Sequence, residues 1–155
     1  MEKRIAVFAG SFDPFTIGHE SIARRSLPLF DELIIAIGVN SSKKYMFPLK
    51  KRLDWIKEVF RDEKKIRVDS FEGLTVDFCK SKNARFIVRG LRTTTDFEFE
   101  KAIAQMNRAL NHEMESIFIL PLPEHSAINS TIIRDIVKNG GDASAFVPSC
   151  VDLKI

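Results

Sequence analysis

Between Ser11 and His19 the chain reads Ser-Phe-Asp-Pro-Phe-Thr-Ile-Gly-His, which puts hydroxyls, a glycine and an imidazole into one short stretch. The apolar run Ile5 to Ala9 before it, ended by Gly10, reads as a buried strand. After it, Ile22, Ala23, Leu27 and Phe30 recur at helical spacing, predicting a helix over His19–Leu29. A turn from a strand's carboxyl end into a helix's amino end presents unpaired N–H groups at the positive end of the helix dipole. In an open α/β sheet ligands bind at such turns. The place suits an anion, above all a phosphate. Lys43, Arg89 and Arg92, with Arg134 and His19 nearby, supply cations with few acids expected to oppose them, enough for more than one phosphate. Taken singly, each cation is most simply a solvated surface group. Together at one sheet edge they favour a shared site. No Ser-His-Asp or Cys-His arrangement is evident, and Cys79 and Cys150 lack metal-ligand spacing.

The elements that must position these residues alternate strand and helix. Leu33–Val39 is a second continuous apolar run, as expected of a parallel strand covered on both faces. A polar loop, Asn40 to Phe47, carries Lys43, and Leu49, Leu53, Ile56 and Phe60 mark the buried face of the helix after Pro48. Further strands are predicted over Ile66–Phe71, Ala84–Val88 and Ser116–Leu122, and helices over Val76–Ser81, Thr95–His112 and Ser130–Lys138. In the longest of these helices Phe99, Ile103, Met106 and Leu110 fall on one face, most simply a stripe packed in the core. The tail from Asp142 reads as irregular, with at most one helical turn. The pattern predicts a single domain over 1–155, a doubly wound five-stranded parallel sheet of Rossmann-like type. Right-handed crossovers then bring Ser11 to His19, Lys43, Thr75, Arg89 to Arg92 and His125 to Thr131 to one edge.

Composition narrows the class. The 155 residues are 45% hydrophobic and 29% charged, the balance of a globular protein that folds in water. A net charge of +3 is too small an excess to argue for nucleic acid. Tyr45 and Trp55, the sole residues of their kinds, offer no stacking platform for it. Two lone thiols, no apolar run of membrane-spanning length and no signal-peptide pattern make the cytoplasm the expected compartment.

Several blocks also resemble a known family. Gly10 to His19 is similar to the (T/H)-x-G-H signature of the nucleotidyltransferase superfamily. Ile128-Asn129-Ser130-Thr131-Ile132-Ile133-Arg134 is similar to its second signature, I-S-S-T-x-x-R. Ser42-Lys43-Lys44 before Met46-Phe47, Arg89-Gly90-Leu91-Arg92 before Asp96 to Glu100, and Met106-Asn107-Arg108 narrow the likeness to bacterial phosphopantetheine adenylyltransferases. The resemblance implies transfer of AMP from ATP to 4′-phosphopantetheine, with magnesium riding on the nucleotide and no protein metal site. It further implies a homohexamer and feedback by coenzyme A.

Carried over by position, the resemblance gives His19, Lys43 and Arg92 catalytic roles. It assigns ATP to Ser11, Phe12, His19, Gly90, Leu91, Arg92, Glu100 and the stretch His125, Ser126, Ala127, Ile128, Asn129, Ser130, Thr131. It assigns the acceptor to Ser11, Lys43, Leu74, Thr75, Arg89, Met106 and Asn107, with Ile103, Leu110 and Asp135 as further candidates. Asp96 is expected to organise Arg92, and Ser130 and Thr131 to double as helix caps. The chain departs from the family pattern at Ser11, Ile17, Phe99, His125, Ala127 and Asn129, and none of these removes a charge the chemistry needs. The alternatives are a nucleotidyltransferase for nicotinate mononucleotide or glycerol 3-phosphate, and a non-catalytic nucleotide- or coenzyme A-binding module.

Overall fold

The structure is a computed structural model that describes residues 1–155. Five parallel strands form one sheet in the order β3-β2-β1-β4-β5. They are β1 (Ile5–Gly10), β2 (Glu32–Val39), β3 (Ile66–Glu72), β4 (Phe86–Gly90) and β5 (Glu115–Ile119). The crossing helices are α1 (Ile17–Ser26), α2 (Leu49–Val59), α3 (Thr75–Ser81) and α4 (Thr94–Leu110), and α5 (Ser130–Lys138) follows β5. The expected α/β architecture is therefore present. From β1 the chain winds outward through β2 to β3, then returns to β4 on the other side of β1. The crevice outside the carboxyl ends of β1 and β4 is the switch point where such sheets take ligands.

The pleat of β1 sends alternate side chains to opposite faces. Phe8 packs with Phe12, Phe15, Ile22, Ile56 and Phe60 under α1 and α2, while Val7 packs with Val76, Cys79 and Met114 on the side of α3. Phe15 has no exposed surface, and a fully buried side chain of that size stabilises by about 1.5–3 kcal/mol. Burial drives the Cys79 thiol up to about 12, so it is inert packing. A third cluster joins Phe47, Trp55 and Ile133 to Ala143, Val147 and Val151, so the tail is packed rather than loose. It also contains the single helical turn expected, at Ser144–Phe146.

Several expectations are corrected. β4 starts two residues beyond the predicted Ala84, because the Ala84 N–H closes the end of α3 on the Cys79 carbonyl. Arg89 and Gly90 thus end the strand itself rather than opening a loop. β5 stops at Ile119, opposite Gly90, short of the predicted Leu122. Beyond it Pro121 has no N–H to donate to a ladder. α1 starts at Ile17, which makes His19 the third residue of the helix. The stripe on α4 is not core: Phe99, Met106 and Leu110 are 68%, 64% and 61% exposed, and Glu100 is the only buried residue of that helix. Helical spacing identified the shared face correctly but could not say what covers it.

Thr16 anchors the site to this frame. Its side chain is buried, lies at the cap of α1 and accepts the His19 N–H at 3.1 Å. Thr16→Ala should lower stability by about 1 kcal/mol through loss of that cap, measured by urea unfolding. An unchanged midpoint would show that the cap carries no load.

Candidate active site

The turn after β1 is held open by its own packing. Phe12 sits at φ +47°, in the left-handed region, with its ring buried between Phe8 and Phe15 at 5.3 Å from each. A Cβ on Gly10 would come within 3.0 Å of that ring, so a larger residue there would have to displace the Phe12 ring by a few tenths of an ångström. Such a backbone costs about 1–3 kcal/mol and persists only where packing over-determines it. Here the surrounding aromatic cluster does so.

The same cluster surrounds His19, whose ring lies 4.9 Å from Phe12, 5.4 Å from Phe15 and 6.3 Å from Phe8. Its Nδ1 accepts the Thr16 backbone N–H at 3.0 Å, the second half of a capping box. Nδ1 is therefore bare and the proton of the neutral ring sits on Nε2. Burial, with Arg89 and then Arg92 adding positive charge nearby, lowers the His19 pKa to about 3. His19 is thus a neutral donor in the free protein, a correction to its grouping with the cations.

A cavity of about 720 Å³ opens over this turn. Into it the structure brings Ser11, Phe12, His19, Lys43, Arg89, Gly90, Arg92, Glu100, His125, Ile128, Asn129, Ser130 and Thr131, with Arg134 beside them. Leu91 is buried, donates its N–H to the Ile119 carbonyl and does not line the cavity. Ser126 and Ala127 belong to the exposed loop that flanks it. Leu74, Thr75, Met106 and Asn107 do not line the cavity. They lie at the amino end of α3 and in the carboxyl-terminal third of α4, with Leu74 and Met106 exposed. The expectation that Thr75 meets the other loops in the cleft is corrected accordingly. Ile103 and Leu110 lie on the exposed face of α4, and Asp135 is an exposed residue of α5.

The charges are more balanced than the sequence suggests. Arg89 donates Nε and Nη2 to Glu100 at 3.0 and 2.7 Å and Nη1 to the Ala9 carbonyl at 2.7 Å. The forked geometry holds Arg89 rigidly across the crevice between β1 and β4. Each Glu100 oxygen accepts one of these bonds, so Glu100 enters the cavity paired with Arg89 rather than as an unopposed carboxylate. Arg92 lies 3.5 Å from Asp96, which also accepts the Arg92 backbone N–H at 3.3 Å, as expected of an organiser. Arg134 donates to the Asp13 carbonyl at 2.7 Å and reaches Thr131 Oγ1 at 3.3 Å. Lys43 has no carboxylate partner, and its ammonium lies 3.4 Å from Ser11 Oγ.

The amino end of α5 completes the site. Its cap is Asn129, whose side chain accepts the Ile132 N–H at 2.9 Å; neither Ser130 nor Thr131 is the cap. Ser130 Oγ donates to the Pro14 carbonyl at 2.8 Å and ties α5 to the first turn. Ile132 N–H is taken by this cap, and the Ser130 and Thr131 N–H groups have no intrahelical acceptors, the arrangement by which a helix start favours an anion. His125 Nδ1 is the one buried side-chain polar atom without a hydrogen-bond partner. No group of three or more His, Cys, Asp or Glu side chains could hold a metal ion. The cleft carboxylates Asp13, Asp96 and Glu100 are already engaged by backbone amides or arginines.

Comparison with known proteins places this arrangement. The sequence profile of the cytidylyltransferase-like family matches residues 7–136. A solved Vibrio parahaemolyticus protein assigned as a nicotinate-nucleotide adenylyltransferase superposes with a TM-score of 0.69, covering 98% of each chain at 20% identity. At that identity the likeness speaks for the fold alone. Fold and site together define a nucleotidyltransferase of the cytidylyltransferase-like class. The phosphopantetheine adenylyltransferase of Flavobacterium psychrophilum is 57% identical over 151 residues, 97% of this chain and 99% of that protein. Those of Christiangramia forsetii and Leptospira biflexa are 53% and 49% identical, covering 96% of this chain and 98% and 93% of theirs. The chain belongs to the phosphopantetheine adenylyltransferases.

The state of His19 gives a direct test. Because its folded pKa lies below the ordinary 6.5, the unfolded chain takes up the proton first as pH falls. This group therefore leaves stability unaffected above pH 6.5 and lowers it progressively from there toward pH 3. In NMR spectra of the ligand-free protein the His19 ring should show no titration between pH 5 and 8. A midpoint near 6.5 would overturn its assignment as a neutral donor.

Proposed function

We infer that the chain transfers the adenylyl group of ATP to the phosphate of 4′-phosphopantetheine, giving dephospho-coenzyme A and pyrophosphate, a step of coenzyme A synthesis. The observation that carries this reading is a convergence at the sheet's switch point. His19, Lys43 and the amino end of α5 face one cavity there, in a chain that aligns over nearly its whole length with enzymes of that name.

The acceptor phosphate has a second pKa of about 6 and is largely ionised at neutral pH. Its oxygen attacks the α-phosphorus while the bond from that phosphorus to the bridging β-oxygen breaks. No proton has to be removed from the nucleophile, which agrees with a site that holds no free carboxylate and a histidine that is not basic. The chain's work is alignment and charge stabilisation. One substrate carries about four negative charges and the other about two. Each unit pair at 4 Å repels by about 4 kcal/mol at an effective dielectric of 20, so cations and N–H groups must offset the approach.

His19 Nε2–H donates to the phosphate undergoing transfer, with Ser11 and the Phe12 backbone beside it. Lys43, which has no carboxylate partner, spans the α-phosphate and the attacking phosphate. Arg89, fixed by Glu100, presents its charge to the acceptor. Arg92 and the first turn of α5, through Ser130 and Thr131, hold the β- and γ-phosphates. Gly90 and Leu91 form the floor and His125 to Asn129 close over the adenine, where the unpartnered His125 Nδ1 gains a partner as the ring turns toward the base. Leu74 and Thr75 at the start of α3, and Met106 and Asn107 on α4, serve the pantetheine arm outside the cavity. A magnesium ion arrives on the triphosphate, neutralising part of its charge, since the chain offers no ligand set of its own. No helix is long and apolar enough to cross a membrane. We place the protein in the cytoplasm as a single-domain subunit of a homohexamer, with coenzyme A, which contains both substrate moieties, as a feedback ligand.

Pyrophosphate release should be fast with ATP and 4′-phosphopantetheine and negligible with nicotinate mononucleotide or glycerol 3-phosphate, or with CTP as donor. Turnover of another acceptor would reassign the substrate, and ATP binding without turnover would make the chain a binding module. His19→Ala should cut kcat by about 100-fold or more with ATP affinity changed only a few-fold, as for loss of one oxyanion donor. Equal losses in both would place the role of His19 in ground-state binding.

A further inference from the structure

Lys43 raises a question that its proposed role does not answer. It lies on an exposed loop, Asn40 to Lys44, and no carboxylate holds it. A lysine side chain loses about 2 kcal/mol of conformational entropy when fixed, so a loop lysine with one 3.4 Å contact should wander. Three side chains given no part in the reaction above oppose this. Asp13 is only 3% exposed, and its carboxylate accepts the N–H groups of Met46 and Phe47 at 2.8 and 2.9 Å, clamping the far end of the loop. Arg52 is 2% exposed; its Nε donates to the Phe47 carbonyl at 2.9 Å and its Nη1 to the Ser11 carbonyl at 2.7 Å. One guanidinium thus joins the Lys43 loop to the residue whose hydroxyl meets Lys43. Tyr45 links them, with the Arg52 guanidinium 4.3 Å and the Lys43 ammonium 5.5 Å from its ring centroid. The Tyr45 hydroxyl receives the Asn40 N–H at 3.1 Å and lies 3.4 Å from the Gly38 carbonyl, which pins the near end of the loop to β2.

We propose that Asp13, Arg52 and Tyr45 are positioning residues of the adenylyl transfer, a largely buried mount that holds the Lys43 ammonium over Ser11 before the substrates arrive. The proposal rests on the adenylyl-transfer reading for its kinetic consequence, but its structural claim stands apart. The mount acts at both ends of the loop through hydrogen bonds, and at the ammonium through the negative face of the Tyr45 ring.

Two measurements test it. In carbon-13 relaxation of lysine side chains, Lys43 should be more ordered than the exposed Lys64 and should fall to the Lys64 level in Tyr45→Leu. Equal mobility in the unaltered protein would overturn the mount whatever the enzyme turns over. In kinetics, Tyr45→Leu should lower kcat about tenfold with the KM for ATP changed less than twofold, and Tyr45→Phe, which keeps the ring face, should recover to within about threefold. In a Lys43→Ala background Tyr45→Leu should change the residual rate less than twofold. A full tenfold drop in that background would show that Tyr45 does not act through Lys43. Asp13→Asn should follow the same coupling, with unfolding midpoints recorded alongside, and if it does not fold the Tyr45 pair decides. Failure of the unaltered enzyme to use phosphopantetheine would count against the functional reading, and the relaxation data would still decide the mount.

Discussion

The turn from β1 into α1 closes through two opposed hydrogen bonds between Thr16 and His19, and the chemistry of the cleft follows from their direction. Because the backbone N–H of Thr16 points at Nδ1, the imidazole proton is forced onto Nε2 and toward the cavity. Packing against Phe12 and Phe15, with Arg89 and Arg92 nearby, then keeps the ring neutral. A capping box usually does no more than start a helix. Here it also sets a tautomer, so the device that starts α1 also aims the donor.

Neutrality at His19 matters because the surrounding charge is already arranged in pairs. Arg89 with Glu100 and Arg92 with Asp96 place guanidinium groups at fixed points without leaving a large unopposed charge in the free protein. A cleft built from unpaired cations would repel itself and favour disorder of the loops that carry them. Pairing holds the arginines in place, and in the proposed reaction phosphate oxygens compete for them. Lys43 and Arg134 have no carboxylate partner: Arg134 is held by the Asp13 carbonyl and the Thr131 hydroxyl, and Lys43 by the mount of Asp13, Arg52 and Tyr45. Burial draws Arg52 below the ordinary guanidinium value, opposed by Asp13 and Tyr45, and its ties to the carbonyls of Ser11 and Phe47 satisfy the buried charge.

Much of this was legible in the sequence. Apolar runs bounded by glycine and proline gave the strands, and the positions of Ser11 to His19 and of Ser130 and Thr131 at helix starts pointed to the anion site. The failures share a physical cause: local pattern does not report what an element packs against. The α4 stripe has the spacing of a core face yet lies open, because the periodicity of Phe99, Ile103, Met106 and Leu110 is the same whether the cover is protein or ligand. Glu100 and Arg89 are paired across eleven residues and two elements, a contact that only the crossover of the chain creates. Asp13 reads in the sequence only as a turn residue before proline, although its carboxylate holds two amides. Arg52 did carry a signal: it stands three residues after Leu49 and four before Ile56, on the apolar face of α2, where a charged side chain must find partners. The cap at Asn129 was hidden by the hydroxyls that follow it.

The central claim is that the acceptor phosphate attacks the α-phosphorus directly, with His19 and Lys43 stabilising charge and neither becoming bonded to the adenylyl group. One displacement inverts the configuration at phosphorus, whereas two displacements through an adenylylated side chain restore it. Turnover of a single diastereomer of adenosine 5′-O-(1-thiotriphosphate) with 4′-phosphopantetheine, followed by phosphorus-31 NMR of the thio-substituted product, reads this out. Inversion is the predicted result; retention would contradict the account, because it would require a covalent intermediate on a group assigned here only to hold charge.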